Sequence, residues 1–273
     1  MMSLRRVSTL VLGLALLAVS GITVGCGSPA VQDTETVVIA GSTSVQPLSE
    51  LLAEEFMKER PGVQVTVQGG GSTAGVRAVT DRVADIGAVS RPLREGEEGL
   101  KQFVIALDAI AIVVHPDNPV EELTFEQVRE IYAGQITNWS ALGGPDRAIS
   151  LVTREEGSGT RTAFEELVMG GTPIAEGAVV QNSNGAVRAT VAQDPSMIGY
   201  LSLAYVTPEV KVLRLDGVEP TVDNVKEGRY PLARPFIYVT REAPQGLVKE
   251  YLDFVLSEAG QAIVEEAGVV PAR

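Results

Sequence analysis

The chain has 273 residues, of which 45% are hydrophobic and 21% are charged, and this composition excludes a disordered or fibrous protein. Acidic residues outnumber basic ones by 35 to 22, which gives a formal net charge of -13. An acidic chain has no basic stripe to follow a phosphodiester backbone, so nucleic acid is not an expected partner. One Cys and one His exclude disulfide frameworks and Cys/His metal clusters, and we expect no metal and no cofactor.

Residues 1–25 have the pattern of an export signal. Arg5 and Arg6 precede an apolar run that ends in small residues. The single cysteine, Cys26, follows at the position where a bacterial lipoprotein receives its lipid. We therefore expect an extracytoplasmic protein, in the periplasm or on the outer face of the cell, that is anchored to the membrane by a lipidated Cys26. Residues 26–35 are the expected tether, because they are rich in small and polar residues.

From residue 36 onwards, short β-branched runs alternate with segments of helical spacing. The predicted strands lie at residues 36–40, 63–67 and 84–89. A helix with Leu48 and Phe56 on its buried face is predicted after the first strand, and one with Val76, Val79 and Val83 after the second. Strand and helix in alternation predict an α/β fold with parallel sheets and helices on both faces.

Residues 100–115 form a long apolar stretch that is too β-branched for a helix and too long for one ordinary strand. Because Asp108 interrupts it, we interpret the stretch as two strands in series that carry the chain from one lobe to another. A capping box over residues 124–127 then predicts a helix through Tyr132. Two further strand–loop–helix units are predicted, at residues 149–167 and 179–192.

A second candidate crossover lies at residues 232–240, around Arg234, and a helical tail is predicted over residues 247–267. Two crossovers predict two α/β lobes with a cleft between them, where small ligands usually bind. The expected segments are residues 36–110 and 235–273 for the first lobe and residues 111–234 for the second lobe.

Three loops share one construction, in which a strand is followed by glycine and hydroxyl residues and then by a helix start. They are GSTS at 41–44, GGGST at 69–73 and GSGT at 157–160. Glycine lets backbone N–H groups converge on a ligand, and a helix start carries partial positive charge. Arg154 precedes the third loop, and its guanidinium can pair with two oxygens of a tetrahedral anion. Ser and Thr also cap helices for structural reasons, but three such loops with an arginine favour an oxyanion receptor.

Four motifs make a resemblance specific, namely GSTSVQP at 41–47, GGGSTAG at 69–75, DIGAVSRP at 85–92 and REEGSGT at 154–160. Together with ITNW at 136–139 and IGY at 198–200, they resemble the phosphate-binding proteins of bacterial phosphate ABC transporters. The resemblance implies a two-lobed periplasmic-binding-protein fold of type II that closes on one inorganic phosphate and delivers it to a membrane permease. It also implies a monomeric receptor that is not an enzyme.

The same resemblance implies the residues of a phosphate site. The expected ligands are Thr43, Ser44, Ser72 and Ser90 from the first lobe and Arg154, Ser158, Gly159 and Thr160 from the second. Ser90 stands where some members of the family have an aspartate that accepts the ligand's proton, so we expect weaker selection against sulfate. Glu156 is expected to pair with Arg154, and Asn184 and Gly185 are weaker candidates at another helix start.

Three alternatives stay open. A receptor for another tetrahedral oxyanion, such as sulfate, molybdate or tungstate, is the nearest, because helix starts serve any of these anions. An exported serine hydrolase would need His115 as its base, but Ser158 lies in no Gly-x-Ser-x-Gly elbow. Gly69-x-Gly71-x-x-Ala74 fits a relaxed dinucleotide fingerprint, but this loop is not in the chain's first strand–loop–helix unit.

Overall fold

The structure is a computed structural model that describes residues 34–272. The predicted export signal at 1–25, the lipidation site Cys26 and most of the predicted tether lie outside the described residues. The last residue of that tether, Glu35, is the first residue of a strand. The strands of the described residues are β1 Glu35–Gly41, β2 Val63–Gly69, β3 Ile86–Val89, β4 Lys101–Val114, β5 Glu122–Leu123, β6 Ser150–Arg154, β7 Val179–Gln181, β8 Met197–Ser202, β9 Lys211–Val212, β10 Arg214–Leu215, β11 Ala233–Thr240 and β12 Val270–Pro271.

Helices alternate with these strands. The α-helices of the described residues are α1 Gln46–Glu59, α2 Ser72–Thr80, α3 Phe125–Tyr132, α4 Gly159–Phe164, α5 Asn184–Val191, α6 Val222–Lys226, α7 Gly246–Val255 and α8 Glu258–Glu266. Short 3-10 turns lie at Trp139–Leu142 and Leu203–Tyr205, and a π-helical turn, Glu165–Met169, continues α4. No helix within the described residues is long and apolar enough to cross a membrane.

The first two strand–loop–helix units form as the sequence predicts. Gly71 caps α2 at a φ of 90°, in the left-handed region that favours glycine. One turn later, a Cβ on Gly75 would lie 2.6 Å from the backbone oxygen of Ala40, so the glycine lets α2 pack closely against β1. The helix ends at Thr80, and Val83, which we predicted on its buried face, is 72% exposed.

The sheets are mixed, which corrects the prediction of parallel sheets. β1 pairs in parallel with β2 and β3, and β6 pairs in parallel with β7 and β8. Between these parallel sets lie β11 and β4, which are antiparallel to each other and to β3 and β8 respectively. The reason is topological, because β4 carries the chain out of the first parallel set and β11 brings it back.

β4 is one continuous strand of 14 residues, and not the two strands in series that we predicted. Its first part pairs with β11 from Lys101 to Ala109, and its last part pairs with β8 from Ile110 to Val114. Asp108 does not break the strand, because Arg234 lies directly opposite it on β11 and pairs with it. The strand thus serves both halves of the molecule, as the crossover interpretation requires.

Two large hydrophobic clusters lie on either side of this crossover. One contains residues from both ends of the described chain, such as Val37, Leu52 and Tyr251. The other contains residues of the middle of the chain, such as Trp139 and Tyr200. They form the cores of the first and second lobe, and the exact lobe boundaries at residues 110 and 234 stay a prediction.

Two helix predictions had different outcomes. The capping box of α3 is confirmed, because the Thr124 side chain accepts from the Gln127 backbone and the Gln127 side chain accepts from the Thr124 backbone. The helical tail is interrupted, and α7 and α8 are separate helices. Ser257 ends the first and caps the second, since its Oγ donates to the Phe254 backbone oxygen and accepts from the Gly260 backbone N–H.

Candidate functional site

The three hydroxyl-rich loops meet between the lobes. The loop after β1, the start of α2 and the end of β3 bring hydroxyls from the first lobe, and α4 brings one from the second. We call this set the hydroxyl cluster, and its members are Ser42, Thr43, Ser44, Ser72, Ser90 and Thr160. All six are buried, and the most accessible, Thr43, is 8% exposed. Each of the six hydroxyl groups can donate one hydrogen bond, and each O–H can rotate towards a ligand in the interface.

Direct contacts join the lobes at this cluster. The hydroxyls of Ser44 and Thr160 lie 2.8 Å apart, and the Tyr205 hydroxyl donates to the Thr43 backbone oxygen at 2.8 Å. A Cβ on Gly159 would lie 2.2 Å from Ser72 Oγ and 2.5 Å from Ser90 Oγ. The lobes are therefore closed on each other, and Gly159 lies where a side chain would not fit between them.

Arg154 ends β6 at the edge of the hydroxyl cluster and is 1% exposed. Its Nη2 donates to Thr43 Oγ1 across the lobe boundary at 3.2 Å, and its Nε donates to Glu155 Oε2 at 2.9 Å. The remaining atom, Nη1, is buried and has no hydrogen-bond partner within the described part of the chain. A buried guanidinium donor without a partner is costly unless a further acceptor satisfies it.

The ion-pair partner of Arg154 differs from our prediction. Glu155, and not Glu156, pairs with the guanidinium, through both carboxylate oxygens at 2.9 Å. The Glu155 backbone N–H donates to the Gln181 oxygen, which holds Glu155 beside β7. Glu156 lies one residue further along the turn and is exposed to solvent.

Three other predicted residues, Ser158, Asn184 and Gly185, differ in how they relate to the hydroxyl cluster. Ser158 is buried and its Oγ accepts from the Arg161 backbone N–H at 3.3 Å, so it caps α4. Asn184 joins the cluster more closely than we predicted, since its Nδ2 donates to Ser44 Oγ at 2.9 Å and to Thr43 Oγ1 at 3.2 Å. Gly185 makes no close approach, because a Cβ there would meet no atom nearer than 3.9 Å. The role of all these residues as ligands stays a prediction.

Three polar residues beside the cluster were not predicted as site residues. Arg234 donates to Ser44 Oγ at 3.0 Å, and Asp108 accepts two bonds from that guanidinium at 2.8 and 3.0 Å. Ser202 donates to the other oxygen of Asp108 at 2.8 Å. We predicted Asp108 and Arg234 only as landmarks of the crossovers, although a charged residue in an apolar strand is itself a signal of a buried partner.

Burial sets the electrostatics of this pair. Burial raises the pKa of Asp108, while Arg234 and the Ser202 hydroxyl oppose that rise. Burial also lowers the pKa of Arg234, against the attraction of Asp108, and the nearby charge of Arg154 lowers it further. An arginine nevertheless stays charged at neutral pH. Two guanidinium groups therefore bond to different hydroxyls of the same cluster and repel each other, and an anion between them would reduce that repulsion.

The residue that a hydrolase would need as its base, His115, is not a member of the hydroxyl cluster. His115 lies in a turn after β4, where its Nδ1 accepts from the Asp117 backbone N–H at 3.1 Å. Within residues 34–272, no three His, Cys, Asp or Glu side chains are grouped so that they could hold a metal ion. The arrangement of buried donors is instead suited to holding an anion by hydrogen bonds.

Known proteins resemble this chain over most of its length. The family model of the PBP superfamily domain matches residues 27–259. The phosphate-binding protein PstS of Bacillus subtilis strain 168 is 38% identical over 244 residues, which cover 86% of this chain and 80% of that protein. The chain belongs to the PstS family of the PBP superfamily. PstS of Borreliella burgdorferi is also similar, at 30% identity over 252 residues, or 87% of this chain and 90% of that protein.

Solved structures of PstS-like proteins share the two-lobed fold. A protein from Clostridium perfringens, assigned as a phosphate ABC transporter substrate-binding protein and crystallised with bound phosphate, is 40% identical with a TM-score of 0.85. The similarity covers 88% of this chain and 100% of that one. An ABC-type phosphate transport receptor from Vibrio cholerae is 40% identical, with a TM-score of 0.72 over 86% of this chain and 99% of that one.

Proposed function

We propose that this PstS-family chain is a receptor that binds one inorganic phosphate between its lobes and delivers it to an ABC permease for import. The observation that carries the proposal is the convergence of Arg154 and six buried hydroxyls from both lobes on one point. Relatives of 38% and 40% identity are described as phosphate-binding, and one was crystallised with phosphate. A binding protein of this kind performs no chemistry on its ligand, so we propose no catalytic residue.

The proposed site uses donors from both lobes. Ser44, Ser72 and Thr43 would donate from the first lobe, and Arg154 and Thr160 from the second. Because an anion that bonds to both lobes stabilises the closed form, binding and closure are coupled. Charge-assisted hydrogen bonds contribute most to the affinity for an anion. Arg154 Nη1 can make such a bond, because it has no hydrogen-bond partner in the described residues.

The setting of the receptor is a further part of the proposal. The export pattern of residues 1–25 supports an extracytoplasmic location, and Cys26 would be the lipid-bearing residue that keeps the receptor at the membrane. Its partner there would be a membrane-embedded ABC permease, and we propose that the receptor is a monomer. Incorporation of radioactive palmitate into the wild-type chain, and its loss in Cys26→Ala, would test the anchor.

A titration with several anions tests the proposed function. Isothermal titration calorimetry of the wild-type chain should give one site per molecule for inorganic phosphate, with sulfate, molybdate and tungstate binding more weakly. Tighter binding of one of the other anions would assign the receptor to that oxyanion. Failure of all four to bind would contradict the proposal of an oxyanion receptor.

The selectivity prediction concerns Ser90. Its Oγ accepts from the Ser42 hydroxyl at 2.8 Å and lies 3.4 Å from Ser72 Oγ, where either hydroxyl can donate, so the Ser90 proton can turn from Ser72 to an anion. Sulfate is fully ionised and offers acceptors only, whereas phosphate keeps a donor hydroxyl. A carboxylate at this position would accept from phosphate and repel sulfate. We expect Ser90→Asp to weaken sulfate binding about tenfold more than phosphate binding.

The control for this substitution is Ser90→Asn, which adds nearly the same volume without the charge. It should lower the affinity for both anions similarly, because its amide can either donate or accept. Competition titrations of phosphate against sulfate on the three proteins measure the difference. Equal selectivity in Ser90→Asp and Ser90→Asn would mean that another acceptor in the site distinguishes the two anions.

A further inference from the structure

We propose that Arg234 is a second anion-binding guanidinium of this site and that Asp108 is the residue that positions it. The inference rests on the proposed function, and it adds a ligand from the crossover strand β11 to those from the hydroxyl loops. Arg234 is 2% exposed and reaches the cluster with both terminal nitrogens. Nη2 donates to Ser44 Oγ at 3.0 Å, and Nη1 lies 3.4 Å from Ser90 Oγ.

Asp108 holds the guanidinium from the opposite edge. Its Oδ2 accepts from Nε and Nη2 of Arg234 at 3.0 and 2.8 Å, and its Oδ1 accepts from the Ser202 hydroxyl. The carboxylate is therefore occupied by protein donors, and the plane of the guanidinium is fixed with its Nη1 edge towards Ser90. A planar guanidinium can bond to a carboxylate along one edge and to an anion along another, whereas an ammonium group is a compact point charge without fixed edges.

The pair of Asp108 and Arg234 lies where the two lobes are connected, so it can take part in closure. Asp108 and Arg234 are register partners on β4 and β11, the two strands that connect the lobes. If the lobes open by a hinge motion about these two strands, the Arg234 charge stays close to the ligand in both forms. Arg154, in contrast, comes from the second lobe and meets the first only through its bond to Thr43 in the closed form.

The chain contains a matched control for a purely structural role. Arg91 is also completely buried, and it forms a two-bond pair with Glu97 at 2.8 Å on each nitrogen. Its Nε, like Nη1 of Arg154, has no partner among the described residues, but its fork faces Glu97 and not the hydroxyl cluster. Arg91 and Arg234 are thus both buried arginines that pair with a carboxylate through two bonds, and they differ in whether they reach the proposed anion site.

The test compares Arg234→Lys with Arg91→Lys by calorimetric titration of inorganic phosphate. Lysine keeps the charge but lacks the planar fork that spans Asp108, Ser44 and Ser90, so we expect Arg234→Lys to weaken phosphate binding about tenfold to a hundredfold. Arg91→Lys should change the affinity by less than about threefold, although both variants lower the melting temperature. Equal affinities of wild type and Arg234→Lys would overturn the inference.

A second variant covers the case in which Arg234→Lys does not fold. Replacement of a buried ion pair by apolar residues of similar volume leaves no unpaired charge and is often tolerated. The double variant Arg234→Met with Asp108→Leu should therefore keep its melting temperature and still lose at least about tenfold in phosphate affinity. Full affinity in this variant would assign the pair a structural role only. If the wild-type chain does not bind phosphate, that result contradicts the proposed function as well as this inference.

Discussion

Arg154→Ala is expected to weaken phosphate binding by about thirtyfold or more. Removal of one partner from a buried, hydrogen-bonded charge pair costs about 2–5 kcal/mol. Arg154 is 1% exposed, bonds to Thr43 across the lobe boundary, and has a buried Nη1 with no partner among residues 34–272. Its removal also leaves Glu155 without the guanidinium that offsets its charge, and a carboxylate next to the site repels an anion. Isothermal titration calorimetry of both proteins measures the loss.

The control for this substitution is Arg129→Ala in the same lobe. Arg129 is on α3, its side chain is 44% exposed, and it pairs with Glu126 on its own helix. The two variants lose the same formal charge, so a general effect of net charge would reduce both affinities alike. Salt screens exposed charges beyond about 8 Å at physiological ionic strength, and we therefore expect Arg129→Ala to bind phosphate like the wild type. Equal affinity of wild type and Arg154→Ala would remove Arg154 from the site.

Gly159→Ala is expected to prevent full closure and to lower phosphate affinity about fivefold to a hundredfold. The added methyl group would lie 2.2 Å from Ser72 Oγ and 2.5 Å from Ser90 Oγ, so the lobes must separate to accommodate it. Overpacking of a closely packed contact costs about 1–3 kcal/mol. The clash exists only between the lobes, and each lobe should keep its own fold and core.

Small-angle X-ray scattering tests the same prediction, because closure changes the radius of gyration. We expect the radius of gyration of the wild type to decrease when phosphate is added, because the ligand draws the lobes together. Gly159→Ala should show a smaller decrease, and Gly185→Ala should behave like the wild type, since a Cβ there meets no atom nearer than 3.9 Å. An identical scattering change in all three proteins would show that Gly159 does not limit closure.

Most of the secondary structure could be predicted from the sequence, because local signals determine it. The alternation of β-branched runs with helical spacing was enough for β1, α1 and β2, and the capping box at residues 124–127 was enough for α3. The tail was harder, since its apolar spacing continues through the break between α7 and α8. The signal that we missed there is Ser257, whose side chain both ends one helix and caps the next.

The site could be predicted in part, for a physical reason. Loops that lie between a strand and a helix start carry local motifs, and the structure brings Thr43, Ser72 and Thr160 into one interface as those motifs suggested. The pairing of Asp108 with Arg234 depends on the register of β4 against β11, which are far apart in sequence. Register is determined by long-range packing, so two charged residues in two apolar stretches did not by themselves identify each other.

The central claim is that one phosphate lies between the lobes among these residues, and a crystal structure of the wild-type chain grown with phosphate tests it most directly. We expect density for a single phosphate in the hydroxyl cluster, with Arg154 Nη1, the Ser72 hydroxyl and the Thr160 hydroxyl each within about 3.2 Å of a ligand oxygen. A phosphate bound elsewhere, or a closed cleft without phosphate density at saturating concentration, would contradict the account.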